Sequence, residues 1–314
     1  MELRRLGRSG LEVSSIGLGC NNFGGRIGAK ETDAVVGKAL DSGITLFDTA
    51  DIYGEKGGSE TLLGKALGAR RQEVVIATKF GGKMGEGAYE HGASRRWIYR
   101  AVDSSLKRLG TDWIDVYQLH FPDTATPQGE TLQALDALVK EGKVRYIGCS
   151  NFAGWQIAEA TWISRTHGYA GYVSAQNQYN LLDRRIEREV VPACQHFSIG
   201  LLPYFPLASG FLTGKYKRGE QPAEDTRMAK MGQMAERTLT GPNFDVLEGL
   251  ETFARDRGHT ILELAVSWLL ANPSTSSVIA GATKPEQVTA NIEAAKWKLT
   301  PDEMQQVDRL TRRK

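Results

Sequence analysis

The segment "LFDTADIYG", residues 46–54, begins as an apolar strand and ends in two carboxylates and a phenol: Asp48, Asp51 and Tyr53. Two later apolar runs finish in the same abrupt way, "VVIATKF" with Lys79 and "IDVYQLH" with His120. An acid, a phenol, an amine and an imidazole at the ends of three successive strands form a set that can move protons. A free tyrosine has a pKa of about 10 and is a poor proton donor near neutrality. A nearby Lys79 ammonium favours the phenolate and lowers that pKa. Asp48 would hold Lys79 charged and in place through a charge-assisted hydrogen bond. His120 would donate to a substrate oxygen and orient it. A phenol tuned in this way protonates a carbonyl oxygen while hydride arrives at the carbon, so the set suits carbonyl reduction. Lys79 as a Schiff-base nucleophile is the competing chemistry. Taken singly, each residue also has a structural explanation: Asp48 as a turn residue, Tyr53 as packing, Lys79 as a strand-end lysine reaching water, His120 as a satisfied polar group.

Converging side chains need strands that end together. Eight apolar runs read as strands: 15–20, 44–49, 74–80, 114–120, 144–150, 172–179, 200–205 and 276–281. Most are apolar throughout, the pattern of parallel strands covered on both faces. Amphipathic helices separate them. In "SRRWIYRAVDSSLKRLG", Ser94 is placed to cap the start, Ile98, Val102, Leu106 and Leu109 share a face, and Gly110 suits the C-terminal cap. "ETLQALDALVKEGK" and "ETDAVVGKALDSG" show the same stripe and a closing glycine. The alternation predicts βαβ units with right-handed crossovers. Eight of them make an α/β fold, a (β/α)8 TIM barrel, of roughly 250 residues. The remainder supplies an N-terminal hairpin in 2–13, a long loop near 206–240 and a C-terminal helix. No linker or repeat divides the chain, so residues 1–314 read as one barrel domain. An open doubly wound sheet would carry a GxGxxG turn after its first strand, and "GLGCNNFGG" does not fit it.

Composition narrows the function classes. With 41% apolar residues, 24% charged residues and a net charge of +2, the chain has no field that implies nucleic acid or an anionic membrane. "ILELAVSWLLA" is too short to span a bilayer and contains Glu263, and "MELRRLGRSG" lacks the apolar core of a secretory signal. Cys20, Cys149 and Cys194 are odd in number and outside any CxxC, so neither disulfides nor a metal site is expected. These features fit a cytoplasmic protein, with oligomeric state open.

The tetrad Asp48, Tyr53, Lys79 and His120 resembles that of the aldo-keto reductases. So do "GLGCNNFGG", "KVRYIGCSNF", "SAQNQYNLLDR", "PYFPLASGFLTGKY" and "VIAGATKPEQVTAN", in collinear order along the chain. The last motifs are closer to the branch of microbial reductases and potassium-channel β-subunits. The resemblance implies a (β/α)8 barrel, NADPH bound without a Rossmann motif, reduction of aldehydes or ketones, and Tyr53 as general acid. It also implies a second role, that of a cofactor-binding regulatory subunit with little turnover. By motif, Ser150, Asn151 and Gln176 match the positions that hold the nicotinamide carboxamide, alongside Asp48. Tyr204 matches the aromatic stacked on the nicotinamide ring. Leu207, Ser209, Gly210 and Leu212 match the loop along the pyrophosphate. Gly281, Thr283, Gln287 and Asn291 match adenosine contacts, near the helix start at Pro285. Aldose reductase relatives carry a Lys and an Arg where this chain has Gly281 and Gln287. Lys215 and Arg227 are the candidate replacements, and NADP is expected over NAD. Cys20 and Asn21 fall where the family has residues near substrate or cofactor.

Overall fold

The computed structural model of the chain describes residues 1–311 except Asp225, Arg227 and Met231. An antiparallel hairpin, β1 (Leu3–Arg5) and β2 (Glu12–Ser14), precedes eight parallel strands. These are β3 (Ile16–Gly19), β4 (Leu46–Asp48), β5 (Val75–Phe80), β6 (Ile114–Leu119), β7 (Val144–Ser150), β8 (Tyr172–Gln176), β9 (Gly200–Leu201) and β10 (Val278–Gly281). Each lies within one of the eight runs expected from the sequence. Strand order is β10-β3-β4-β5-β6-β7-β8-β9. The circle closes where the Leu201 N–H donates to Ser274 O at 2.7 Å and the Ser276 N–H to Leu201 O at 2.9 Å. The result is a (β/α)8 barrel. Pro203 cannot donate to a ladder, and β9 stops two residues short of it.

The helices fall between the strands: α1 (Ala29–Asp41), α2 (Tyr53–Leu67), α3 (Arg95–Leu109), α4 (Gln128–Lys140), α5 (Gly154–His167) and α6 (Val190–Phe197). After β9 come α7 (Gln233–Thr238), α8 (Gly241–Arg255) and α9 (Ile261–Ala271), and after β10 come α10 (Pro285–Glu293) and α11 (Pro301–Thr311). Their ends follow local rules. The Ser94 hydroxyl accepts from the Trp97 N–H, and Gly110 takes the left-handed conformation that closes α3. The region near 206–240, expected as one long loop, instead holds short 3₁₀ turns at Ala208–Thr213 and Met228–Lys230 together with α7.

Strand alternation sorts the residues into layers. On β5, Ile76 and Phe80 join the shell between strands and helices, while Val75 and Ala77 point to the barrel axis. There they meet Leu46, Val116, Val173, Leu202 and Ile279, with Leu6 and Val13 of the hairpin sealing the N-terminal end. The seal is close. Gly7 has φ +57°, and a Cβ on it would lie 2.5 Å from the Val173 carbonyl oxygen. One step further along β5, the inward position is Lys79 and the axis turns polar. Apolar filling at one end thus leaves the opposite, C-terminal end to carry chemistry.

Candidate functional site

At that C-terminal end a cavity of about 660 Å³ opens over the strand tips. Asp48 is the last residue of β4, Ser150 of β7, Gln176 of β8 and Gly281 of β10. All four line the cavity, as do Tyr53 and His120. Tyr53 reaches the rim through an unusual turn. It is followed by Gly54, Glu55, Lys56 and Gly57, all with positive φ, before α2 becomes regular. The sequence places Tyr53 in a plain loop; the structure gives it a left-handed turn. A Cβ on Gly54 would sit 2.3 Å from the Phe23 carbonyl oxygen, so only glycine fits.

Lys79 is wholly buried behind this rim. Its Nζ donates to Asp48 Oδ2 and to Thr49 O, each at 2.8 Å, and lies 5.0 Å from the Tyr53 ring centroid. The other Asp48 oxygen accepts from Gln176 Nε2 at 2.7 Å. Desolvation opposes the ammonium, but Asp48 and Tyr53 together outweigh it, so the Lys79 pKa stays above its ordinary value and the group is charged. For Tyr53 the balance differs from the sequence expectation. Burial raises its pKa by more than Lys79 lowers it, so the net shift is upward. The resting phenol keeps its proton, and Lys79 offsets part of the cost of losing it.

His120 Nε2 lies 3.5 Å from the Tyr53 hydroxyl, with the two rings edge to face at 82°. Burial, aided by Lys79, pushes its pKa down to about 2, so the imidazole is neutral. The two polar atoms flank one point on the cavity wall. A carbonyl oxygen placed there meets a protonated phenol and a neutral imidazole.

On the far side, Ser150, Asn151, Gln176 and Tyr204 come together, as expected. The Asn151 amide donates to His120 O at 2.9 Å, while its Oδ1 accepts from the Tyr204 hydroxyl at 2.7 Å. Asn151, Phe205 and Ser209 line the cavity with φ of +62°, +52° and +59°, values uncommon outside glycine. Part of the backbone strain therefore lies at the cavity wall. Asn21, Leu207, Ser209, Gly210, Lys215, Thr283, Gln287 and Asn291 also line it.

Two expected contacts lie elsewhere. The Cys20 side chain is on the Leu18 face of its strand, turned to the shell between barrel and helices, and its pKa is pushed well above the ordinary value by burial. Leu212 is fully buried in the same shell beside Phe211. Neither side chain faces the cavity. Arg227 lies outside the described residues.

The cavity also contains residues that the motifs did not single out. Arg26, from the loop after β3, and Lys284, just before α10, join Lys215 on its wall. None of the three has an ion-pair partner among the described residues. Phe121 is stacked on His120 at 4.3 Å and 46% exposed. Their signal in the sequence was position alone, since each directly follows or sits within a strand-end loop already in view. Asp48 is the sole carboxylate on the wall among the described residues, and Lys79 neutralises it. Among the described residues the cleft therefore carries three unpaired positive charges, which fits an elongated polyanion. No described helix is long and apolar enough to cross a membrane, and no described His/Cys/Asp/Glu cluster could hold a metal ion.

Comparison with known proteins agrees with this geometry. The aldo/keto reductase family profile matches residues 15–312. A probable voltage-gated potassium channel subunit beta of Oryza sativa subsp. japonica is 38% identical, covering 94% of this chain and 91% of that protein. An uncharacterized oxidoreductase of Bacillus subtilis is 37% identical, covering 95% and 92%. The L-glyceraldehyde 3-phosphate reductase of Escherichia coli O157:H7 is 34% identical, covering 98% and 92%. With the profile spanning nearly the whole barrel and the tetrad at its C-terminal rim, this chain belongs to the aldo/keto reductase family.

Proposed function

We propose that the protein is an NADP(H)-dependent oxidoreductase that reduces aldehydes or ketones to alcohols. The observation that carries this reading is the geometry of Tyr53, Asp48 and His120 at the cavity wall, with Lys79 buried behind them. Bound nicotinamide would supply the hydride. Ser150, Asn151 and Gln176 offer hydroxyl and amide partners for its carboxamide, and the Tyr204 ring would cover one face. His120, neutral, donates from Nε2 to the carbonyl oxygen and fixes it beside Tyr53. Tyr53 then gives up its phenolic proton to that oxygen, and the Lys79 ammonium stabilises the phenolate left behind. Asp48 keeps Lys79 in place. Oxidation of the alcohol reverses these roles. The Ser150, Asn151 and Gln176 set has no use in a Schiff-base enzyme, which favours reduction.

The preference for NADP over NAD rests on Arg26, Lys215 and Lys284. The three free cations suit the extra phosphate better than a cleft with one cation would, and they offset the missing Lys and Arg at Gly281 and Gln287. Fluorescence titration with NADPH and NADH, followed by turnover of 4-nitrobenzaldehyde, tests both points. Tyr53→Phe should bind cofactor and lose nearly all turnover; retained turnover defeats the mechanism. Lys284→Ala or Arg26→Ala should weaken NADPH by roughly tenfold or more and NADH less, the size of one lost charge-assisted contact. Likeness to the channel β-subunits supports a second reading, a cofactor-binding subunit that acts through a partner. Tight NADPH binding without turnover of any carbonyl would favour it.

A further inference from the structure

The second carboxylate of the opening segment has no part in this chemistry. Asp51 lies three residues after Asp48 and two before Tyr53, 1% exposed, and its N–H donates to Lys79 O at 3.1 Å. It is not on the cavity wall; its carboxyl turns into the layer between the barrel and helices α2 and α3. Neither oxygen has a hydrogen-bond partner among the described residues. The Ile52 N–H approaches one of them without hydrogen-bonding geometry.

The charged groups around it explain why. Glu60 of α2 is fully buried and takes both available donors, Thr78 Oγ1 and Arg108 Nε, each at 2.6 Å. Arg108 of α3 is thus, among the described residues, the guanidinium shared by two buried carboxyls, and it bonds one of them. Lys79 of β5 is committed to Asp48, and the buried Tyr117 hydroxyl of β6 is itself without a partner among the described residues. An uncompensated anion in such a layer is expensive, and the group keeps its proton instead. Burial first, and Glu60 second, push the Asp51 pKa up to about 8.

We propose that Asp51 is a positioning residue held as a neutral carboxylic acid, and that loss of its proton makes Tyr53 a weaker acid. The inference rests on Tyr53 as the proton donor. An anion at Asp51 opposes formation of a second anion at the Tyr53 oxygen, and its charge raises the Tyr53 pKa. Lys79, Asp48 and Asp51 then act on the same phenol with opposing signs. Carbonyl reduction therefore carries an alkaline titration that belongs to a residue outside the cavity.

The test is the pH profile of kcat/KM for 4-nitrobenzaldehyde with NADPH, from pH 6 to 9.5. The wild-type protein is compared with Asp51→Asn and Asp51→Glu, each normalised to its own value at pH 6.5. The wild type should decline through an ionisation near pH 8, which Asp51→Asn lacks and Asp51→Glu keeps. At pH 9 the normalised Asp51→Asn value should exceed wild type by about threefold, as when half of a tenfold change in Tyr53 acidity reaches the transition state. Superimposable profiles for wild type and Asp51→Asn overturn the proposal, because a purely structural role leaves the profile shape unchanged. If Asp51→Asn does not fold, Glu60→Gln removes the nearest like charge and should move the ionisation to lower pH. An unmoved ionisation in Glu60→Gln overturns the proposal as well. Retained turnover in Tyr53→Phe would instead defeat the underlying mechanism, so the two failures are distinct.

Discussion

Replacing Lys79 by Met strips the Asp48 carboxylate of its cation inside the barrel. The pair is 2.8 Å apart with side-chain exposures of 0% and 5%, so water cannot take the place of the ammonium. Breaking a buried pair from one side costs about 3–5 kcal/mol, because the remaining charge is stranded. At an unfolding entropy of about 2.1 cal/mol/K per residue, a chain of this size should lose about 5–8 °C in Tm. The Gln176 amide still donates to Asp48 and moderates the loss. Adding Asp48→Asn removes the stranded charge, so the double variant should be more stable than Lys79→Met alone. The assay is denaturant unfolding of the wild type, both single variants and the double, read as a double-mutant cycle. Turnover should also fall by about 10²–10⁴-fold in Lys79→Met, the usual scale of a general-acid contribution. NADPH fluorescence serves as a check that the cleft is intact. Additive stabilities, or a turnover loss below about tenfold, would refute the electrostatic account of the tetrad.

His120 gives a prediction with the opposite pH sense to an ion-paired histidine. Its folded pKa is depressed to about 2, whereas an unfolded histidine titrates near 6.5. The unfolded chain thus binds a proton that the folded one refuses, and stability falls as pH drops below about 6.5. At pH 5 the loss attributable to His120 is about 2 kcal/mol, and His120→Gln should remove it in urea unfolding at pH 5 against pH 7.5. An equal acid loss in both proteins would count against a neutral His120. Gly54→Ala should destabilise by at least about 1–3 kcal/mol, since the left-handed turn leaves no room for a methyl. Gly37→Ala, where a Cβ meets nothing within 4 Å in α1, should instead stabilise by about 0.5–1 kcal/mol, as calorimetry would show.

The barrel was legible because its signals are local. Apolar runs of six to eight residues, stripes such as Leu132, Leu135 and Leu138, and cap residues such as Ser94 and Gly110 depend on neighbours within a turn or two. Asp48, Lys79 and His120 were legible for the same reason, since a polar residue at the end of an apolar strand needs no distant partner to be noticed. The side on which Cys20 falls was not, because alternation fixes a side chain only once the register of β3 against β4 and β10 is known. Leu212 follows from a run of left-handed residues that no propensity predicts. The convergence of Arg26, Lys215 and Lys284 joins loops from β3, β9 and β10, which are neighbours only after the circle closes.

The sequence by itself determined which residues could carry charge and in which segments the strands would lie. The folded barrel decided how those charges are shared. Asp48 and Asp51 are the same residue type three positions apart. Asp48 points inward to a lysine and an amide, while Asp51 points outward to a layer where Glu60 has already taken the donors. Coulomb energy and desolvation depend on distance and burial in three dimensions, so the different fates of these two carboxyls arise only when the chain closes.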